Sequence, residues 1–300
     1  MTYHCAVIGG GPAGLNAALV LARSLKTTLL IDNNTARNKV TQESHNFITR
    51  DGITPEEFRR KAHEDLYKYP EIQIQNQTLT DIVKTEDCFQ LTTDNGETFE
   101  AQNIILATGL KDILPDIKGI HDVYGRSVFS CPFCDGYESK DEPLVYFAHD
   151  DNTFHAVKMI SNWNKDITIC TNGKNILTEK ESETLLNKGF QIINNEIKAI
   201  HSNDGNLAHV EFTDGSILDK NRGFVSYRME QSTDFFKTLG LKMNELGGIE
   251  TDPYGRTNIS GIYAAGDNAE GPPQLIIAAS LGSKAAIGVI MDSVEKQFES

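Results

Sequence analysis

The chain has 300 residues, 39% hydrophobic and 23% charged, with a formal charge of −14 at pH 7. That length is long for one hydrophobic core and predicts two domains. The acidic balance argues against a nucleic-acid partner, which calls for a basic face. Five scattered cysteines exclude a secreted disulfide scaffold. No stretch approaches the ~20 apolar residues of a membrane span, and the basic region and cleavage site of a secretory signal are missing. A cytoplasmic protein without a membrane partner is the expectation.

Tyr3 to Ile8 reads as a buried strand, followed by Gly9-Gly10-Gly11-Pro12-Ala13-Gly14 and a helix over Leu15 to Leu25. A second strand, Thr27 to Ile31, ends at Asp32, with Asn33 next. Strand, glycine turn, helix, strand and acid together make a dinucleotide fingerprint. Gly9 permits the tight turn, Gly11 lets the backbone approach a pyrophosphate, and Gly14 lets the helix pack on the strand. The helix N-terminus offers amides and partial positive charge to phosphates. Asp32 stands where an acid accepts ribose hydroxyls. On the next helix, Arg59 and Arg60 read as solvated charges. Residues 72–101 read as short strands with a turn at Asp94-Asn95-Gly96. Ile104 to Leu106 is a strand running into Ala107-Thr108-Gly109, a turn expected near the adenine side. Lys111 to Gly125, with one proline and two glycines, suits a crossover between domains.

The most distinctive segment is Cys131-Pro132-Phe133-Cys134-Asp135-Gly136. Two cysteines with two residues between them can close a small disulfide at a helix start, where backbone amides lower the thiol pKa. Asp135 could move the proton that redox cycling requires. Half a zinc site is the rival reading. A four-cysteine site needs a second pair, and Cys5, Cys88 and Cys170 stand apart, so no metal is expected.

From Pro143 a second βαβ pattern begins: a strand over Leu144 to Ala148, a helix over Thr153 to Trp163, and a strand over Ile167 to Cys170. Near the C-terminus, the short strand Ile262 to Ala265 ends at Gly266-Asp267. A small-residue helix follows from about Pro273 to Lys296. Asp267 can hold a ribitol hydroxyl, and at the helix start, with Leu275 next, Gln274 can either touch a flavin ring or cap the helix. This signature points to FAD as the dinucleotide.

In combination, GGGPAG, ATG, CPFCDG and AAGD resemble the low-molecular-weight thioredoxin reductase family of flavoproteins, in order and spacing along nearly the whole chain. The resemblance implies an α/β fold of two Rossmann-like three-layer domains. A discontinuous FAD domain would occupy 1–115 and 242–300. The central domain, 116–241, would be a degenerate NADPH-binding type carrying the CxxC. Residues 72–101 would be the β-insert of the FAD domain, and Arg222 to Glu230 would lie at the return to it. The resemblance also implies a homodimer, with Cys134 beside the isoalloxazine ring, Cys131 facing the substrate, and Asp135 as acid or base for the departing thiol.

Two departures qualify it. The turn Ala148-His149-Asp150-Asp151-Asn152-Thr153 has no glycine where backbone approach needs it, and two acids would face a pyrophosphate. After the next strand, Thr171-Asn172-Gly173-Lys174 carries one lysine where the family has an arginine cluster for the 2′-phosphate. Ordinary NADPH use is therefore not expected. Separately, Ala36-Arg37-Asn38, Ser44-His45 and Arg50-Asp51-Gly52 resemble a branch of dithiol oxidases that pass electrons to oxygen. That branch often has histidine after the CxxC, where this chain has Asp135. His45 reads either as an active-site base or as a hydrogen-bonded structural histidine. The expected activity is flavin-linked electron exchange between the Cys131/Cys134 pair and a dithiol or disulfide substrate, either a small molecule or a thioredoxin-like protein. Oxygen would be the acceptor, or a ferredoxin or flavodoxin the donor. NADPH-dependent thioredoxin reduction and a non-catalytic redox sensor are the alternatives.

Overall fold

A computed structural model describes Met1–Glu299. In chain order the first elements are β1 (Thr2–Ile8), α1 (Pro12–Arg23), β2 (Thr28–Ile31), α2 (Pro55–Leu66), β3 (Ile72–Gln75), β4 (Leu79–Lys84), β5 (Phe89–Thr93) and β6 (Thr98–Leu106). After β7 (Leu110–Ile113) come α3 (Ile120–Val123), β8 (Val128–Phe129), α4 (Pro132–Asp135), β9 (Leu144–Phe147), α5 (Thr153–Ile160), β10 (Ile167–Cys170), α6 (Glu179–Asn187) and β11 (Gln191–Ile193). The rest are β12 (Ile197–Asn203), β13 (Asn206–Phe212), β14 (Ile217–Leu218), β15 (Arg222–Val225), β16 (Arg228–Gln231), α7 (Phe235–Thr238), β17 (Ile262–Ala264) and α8 (Leu275–Glu299).

Two compact units emerge. The first comprises Met1–Lys39, Asn46–Lys111 and the chain from Glu230 on; the second comprises Val40–His45 and Asp112–Met229. The return to the first unit comes at Glu230, the end of the stretch expected for it and ahead of the boundary expected at 242. The reason is apolar burial: Phe235 and Leu241 belong to the first unit's core, with Ile8, Ile31 and Ile249. Arg222–Val225, expected at the return, is instead a core strand of the second unit.

The first unit is built on a sheet of order β3-β2-β1-β6-β5-β4, with β17 also paired to β6. β3, β2, β1, β6 and β17 run parallel, while β4 and β5 form an antiparallel extension. Residues 72–75 therefore belong to the parallel layer, and only the strands after them to the insert. Strand β1 is apolar and buried from Cys5 to Ile8, where both faces are covered. Ala6 and Ile8 enter one buried cluster, Cys5 and Val7 the other. On the second face α1 packs on α8 through alanines and glycines; a Cβ at Gly282 would lie 2.0 Å from the Ala13 carbonyl oxygen. Contrary to the sequence expectation, α8 is by length and composition apolar enough to cross a membrane. Its face of Ala278, Ala279, Ala285, Ala286 and Val289 lies in the buried cluster that also holds Ala17, Ala18 and Leu21 of α1.

The second unit has a parallel sheet of order β11-β10-β9-β15-β8 and an antiparallel sheet β12-β13-β14. Strands β9 and β10 are buried at every residue, with Val145 and Phe147 in one cluster and Leu144 and Tyr146 in the other.

Candidate active site

In the first unit the parallel register places three turns at one sheet edge. Ile8 pairs with Leu106, and Leu106 with Ala264, so the turns after β1, β6 and β17 emerge side by side. Gly9-Gly10-Gly11, Ala107-Thr108-Gly109 and Gly266-Asp267 are brought together there. This carboxyl edge is where open α/β sheets bind ligands.

Protein atoms require the glycine at three of the four motif positions. A Cβ would lie 2.3 Å from the Ala107 carbonyl oxygen at Gly9, 1.8 Å from the Gly9 carbonyl oxygen at Gly14, and 2.6 Å from the Asp32 carboxylate at Gly10. Gly11 differs: nothing lies within 4 Å of a Cβ placed there. Packing does not demand that glycine, and a ligand approaching the backbone would. Pro12 occupies the first turn of α1, which has neither a side-chain cap nor an acid, so its amides stay available to an anion. Ala13 and Leu15 face inward. Asp32 is buried, and its Oδ1 accepts the Gly10 N–H at 2.9 Å. Asn33 is exposed, with its Oδ1 accepting from the Thr35 hydroxyl and amide. Asp267 pairs with Arg37 at 3.4 Å, while Gln274 and Leu275 lie at the start of α8.

Sequence reasoning missed two residues of this edge. Asn268 is fully buried; its Nδ2 donates to the Leu106 carbonyl at 3.0 Å, and its Oδ1 has no partner among the described residues. Its place directly after Gly266-Asp267 was the available signal. Arg59 is not solvated: it bonds Asp32 and the Gly10 carbonyl. Arg60 does behave as an exposed helix charge, paired with Glu57 and Glu64.

In the second unit, β8 delivers the chain to Cys131, which caps α4 and forms a disulfide with Cys134, Cα to Cα 5.3 Å. The redox reading thus stands over half a zinc site. Helix α4 has only four residues, so it contributes first-turn amides rather than a developed macrodipole. Gly136 is obligatory, since a Cβ there would lie 2.3 Å from the Pro132 carbonyl oxygen and 2.8 Å from the Trp163 ring. Phe133, between the cysteines, meets Trp163 edge-on at 5.4 Å. The following loop is anchored by buried Ser139, whose hydroxyl donates to the Asp135 carbonyl at 2.7 Å and accepts from Arg222 at 3.0 Å. Burial, then the Glu138 carboxylate, push the Asp135 carboxyl up to about 7, against the opposing pull of His45 and Arg222. His45 Nε2 lies 3.6 Å from Glu43 and 3.7 Å from Glu138. An acid that titrates near neutrality beside a dithiol can give a proton to a leaving thiolate and take one back.

A family model described as pyridine nucleotide-disulphide oxidoreductase matches residues 3–282. The chain belongs to that family. It is 31% identical over 302 residues to thioredoxin reductase aclD of Aspergillus oryzae, covering 96% of this chain and 95% of that protein. Thioredoxin reductase sirT of Leptosphaeria maculans is also 31% identical, over 96% of this chain and 93% of its own length. A Bacillus anthracis protein assigned as thioredoxin reductase TrxB superposes with TM-score 0.95 at 41% identity, covering 98% of this chain and 99% of that one. This family member is a thioredoxin reductase-like oxidoreductase, and its cofactor is FAD. The open side of Gly11, the uncapped start of α1 and the orphaned Asn268 Oδ1 all fit that group.

The family's second crevice would lie at the carboxyl edge of β9 and β15. There the Asp150 carboxylate accepts the Asn152 N–H at 3.0 Å and the Ser226 hydroxyl at 2.5 Å. It takes the N-cap amide of α5 for itself, in the place where a dinucleotide phosphate would take it. Lys174 donates to His149 Nδ1 at 2.7 Å. Asn172 is committed to the fold, its Oδ1 accepting the Ile197 N–H at 2.7 Å.

Proposed function

We propose that the protein is an FAD-dependent dithiol oxidase: Cys131 and Cys134 accept electrons from a substrate dithiol, and NADPH is not used in the ordinary way. The observation that carries this reading is the Asp150 turn, which supplies its own carboxylate to the α5 amide and offers no glycine. A substrate thiolate attacks Cys131 Sγ, the Cys131–Cys134 bond breaks, and Cys134 leaves as thiolate. Asp135 supplies the proton when Cys134 departs. The second substrate thiolate then displaces Cys131, releasing the substrate as a disulfide and leaving the protein pair reduced. FAD, held by the Gly9–Gly14 turn, Asp32 and Asp267, would supply the two-electron acceptor for the reduced pair, with oxygen as the final acceptor and peroxide as the product. The formal charge of −14 disfavours docking of a small acidic iron–sulfur or flavin carrier as donor. The names of the fungal relatives suggest a thioredoxin-type dithiol as one substrate, and a small dithiol is the other. The dimer expected from the family is supported by an exposed apolar stripe on α8: Ile287, Met291, Val294 and Phe298. The free thiols Cys5, Cys88 and Cys170 suit a reducing cytoplasm.

The test is aerobic turnover of a small dithiol with no nicotinamide present, read as peroxide formed. Wild type is expected to turn over, while Cys131→Ser and Cys134→Ser lose turnover and keep FAD. Full activity in either variant, or strict dependence on added NADPH, overturns the reading.

A further inference from the structure

Helix α2 carries a device outside the glycine fingerprint. It opens at Thr54, whose hydroxyl accepts the Glu57 N–H, and presents Arg59 and, one turn on, His63 toward β2. Arg59 Nη2 reaches Asp32 Oδ2 at 2.6 Å, and Nη1 donates to the Gly10 carbonyl at 2.7 Å. Because Asp32 Oδ1 already holds the Gly10 N–H, the three residues close a ring of three hydrogen bonds. The side chains of Arg59 and Asp32 are only 16% and 6% exposed. His63 does not supply the positive charge, since burial and Arg59 both lower its pKa.

This ring answers two electrostatic demands. A carboxylate as buried as Asp32 needs a partner. The FAD pyrophosphate at the start of α1 would also bring negative charge toward that carboxylate. A guanidinium forked between acid and turn meets both and fixes the carboxylate's rotation while leaving lone pairs free. We propose that Arg59 is a positioning residue for the adenosine ribose of FAD, aiming Asp32 at the ribose hydroxyls and locking the glycine turn. The inference rests on FAD occupying the first unit.

The test compares FAD with its 2′-deoxyadenosine analogue, reading dissociation constants from flavin fluorescence on refolded apoprotein. Wild type is expected to favour FAD about tenfold, the worth of one hydrogen bond to a charged group. In Arg59→Gln the FAD dissociation constant rises about 10- to 100-fold, and the preference over the analogue falls toward unity. Arg59→Lys keeps the charge without the fork and is expected to lie between; it serves as the readout if the glutamine variant does not fold. A merely structural role would weaken FAD and analogue alike. An unchanged preference in these variants therefore overturns the proposal, whatever happens to affinity. Failure of wild type to bind either ligand would overturn the cofactor assignment instead.

Discussion

Burial and the neighbouring Glu138 carboxylate hold the Asp135 proton to about pH 7, well above an ordinary aspartic acid. Below that pH the oxidised protein has an acid ready beside its disulfide; above it, a carboxylate that can only accept. The same shift couples to stability. An acid whose folded pKa is raised favours the folded chain fully below about pH 4, the unfolded value, and loses that contribution as pH rises through about 7. Asp135→Asn should therefore melt with a flatter pH dependence between those limits and gain on the parent at pH 8. Thermal melts across that range check this, and parallel slopes for the two proteins would contradict it. At this scale the sequence was readable where chemistry clusters locally: Cys131, Cys134 and Asp135 lie within five residues. Arg59 was not. Its partner Asp32 is 27 positions away, and its own helix, PEEFRRKAHEDL, is charged enough to look uniformly solvated.

At the scale of elements, two glycines of the first unit separate binding from packing. Gly282 of α8 faces the Ala13 carbonyl at a distance no Cβ tolerates, whereas Gly11 at the start of α1 faces open space. Gly282→Ala is expected to cost about 1–3 kcal/mol in urea unfolding, the range of an overpacked interior. Gly11→Ala should leave the apoprotein's unfolding midpoint in place and weaken FAD at least about tenfold. FAD retention equal to wild type in Gly11→Ala would show that no ligand approaches that backbone. Both βαβ units were legible from their strand, turn and helix periods, because their fully buried parallel strands read as continuous apolar runs. The wiring of the second turn was not legible. Asp150 reads from sequence as an acid facing a pyrophosphate. In the fold it is tied to Ser226, a residue of a strand edge far along the chain. The membership of the segment after Glu230 was not legible for a similar reason: Phe235 and Leu241 join the first unit's core through packing that no local pattern announces.

Taken as a whole molecule, the chain carries a complete dinucleotide edge in one unit and a redox disulfide in the other. The second unit keeps the sheet order of a nucleotide-binding domain, but an acid closes the turn that would hold the phosphates. The proposed function has electrons enter through the dithiol without passing a nicotinamide. Rapid anaerobic mixing of the oxidised flavoprotein with NADPH, or with a small dithiol, followed by flavin absorbance, addresses this directly. The dithiol is expected to bleach the flavin while NADPH leaves it oxidised over minutes. Bleaching by NADPH within the mixing time, at micromolar concentration, would contradict the account and restore an ordinary NADPH-dependent reductase.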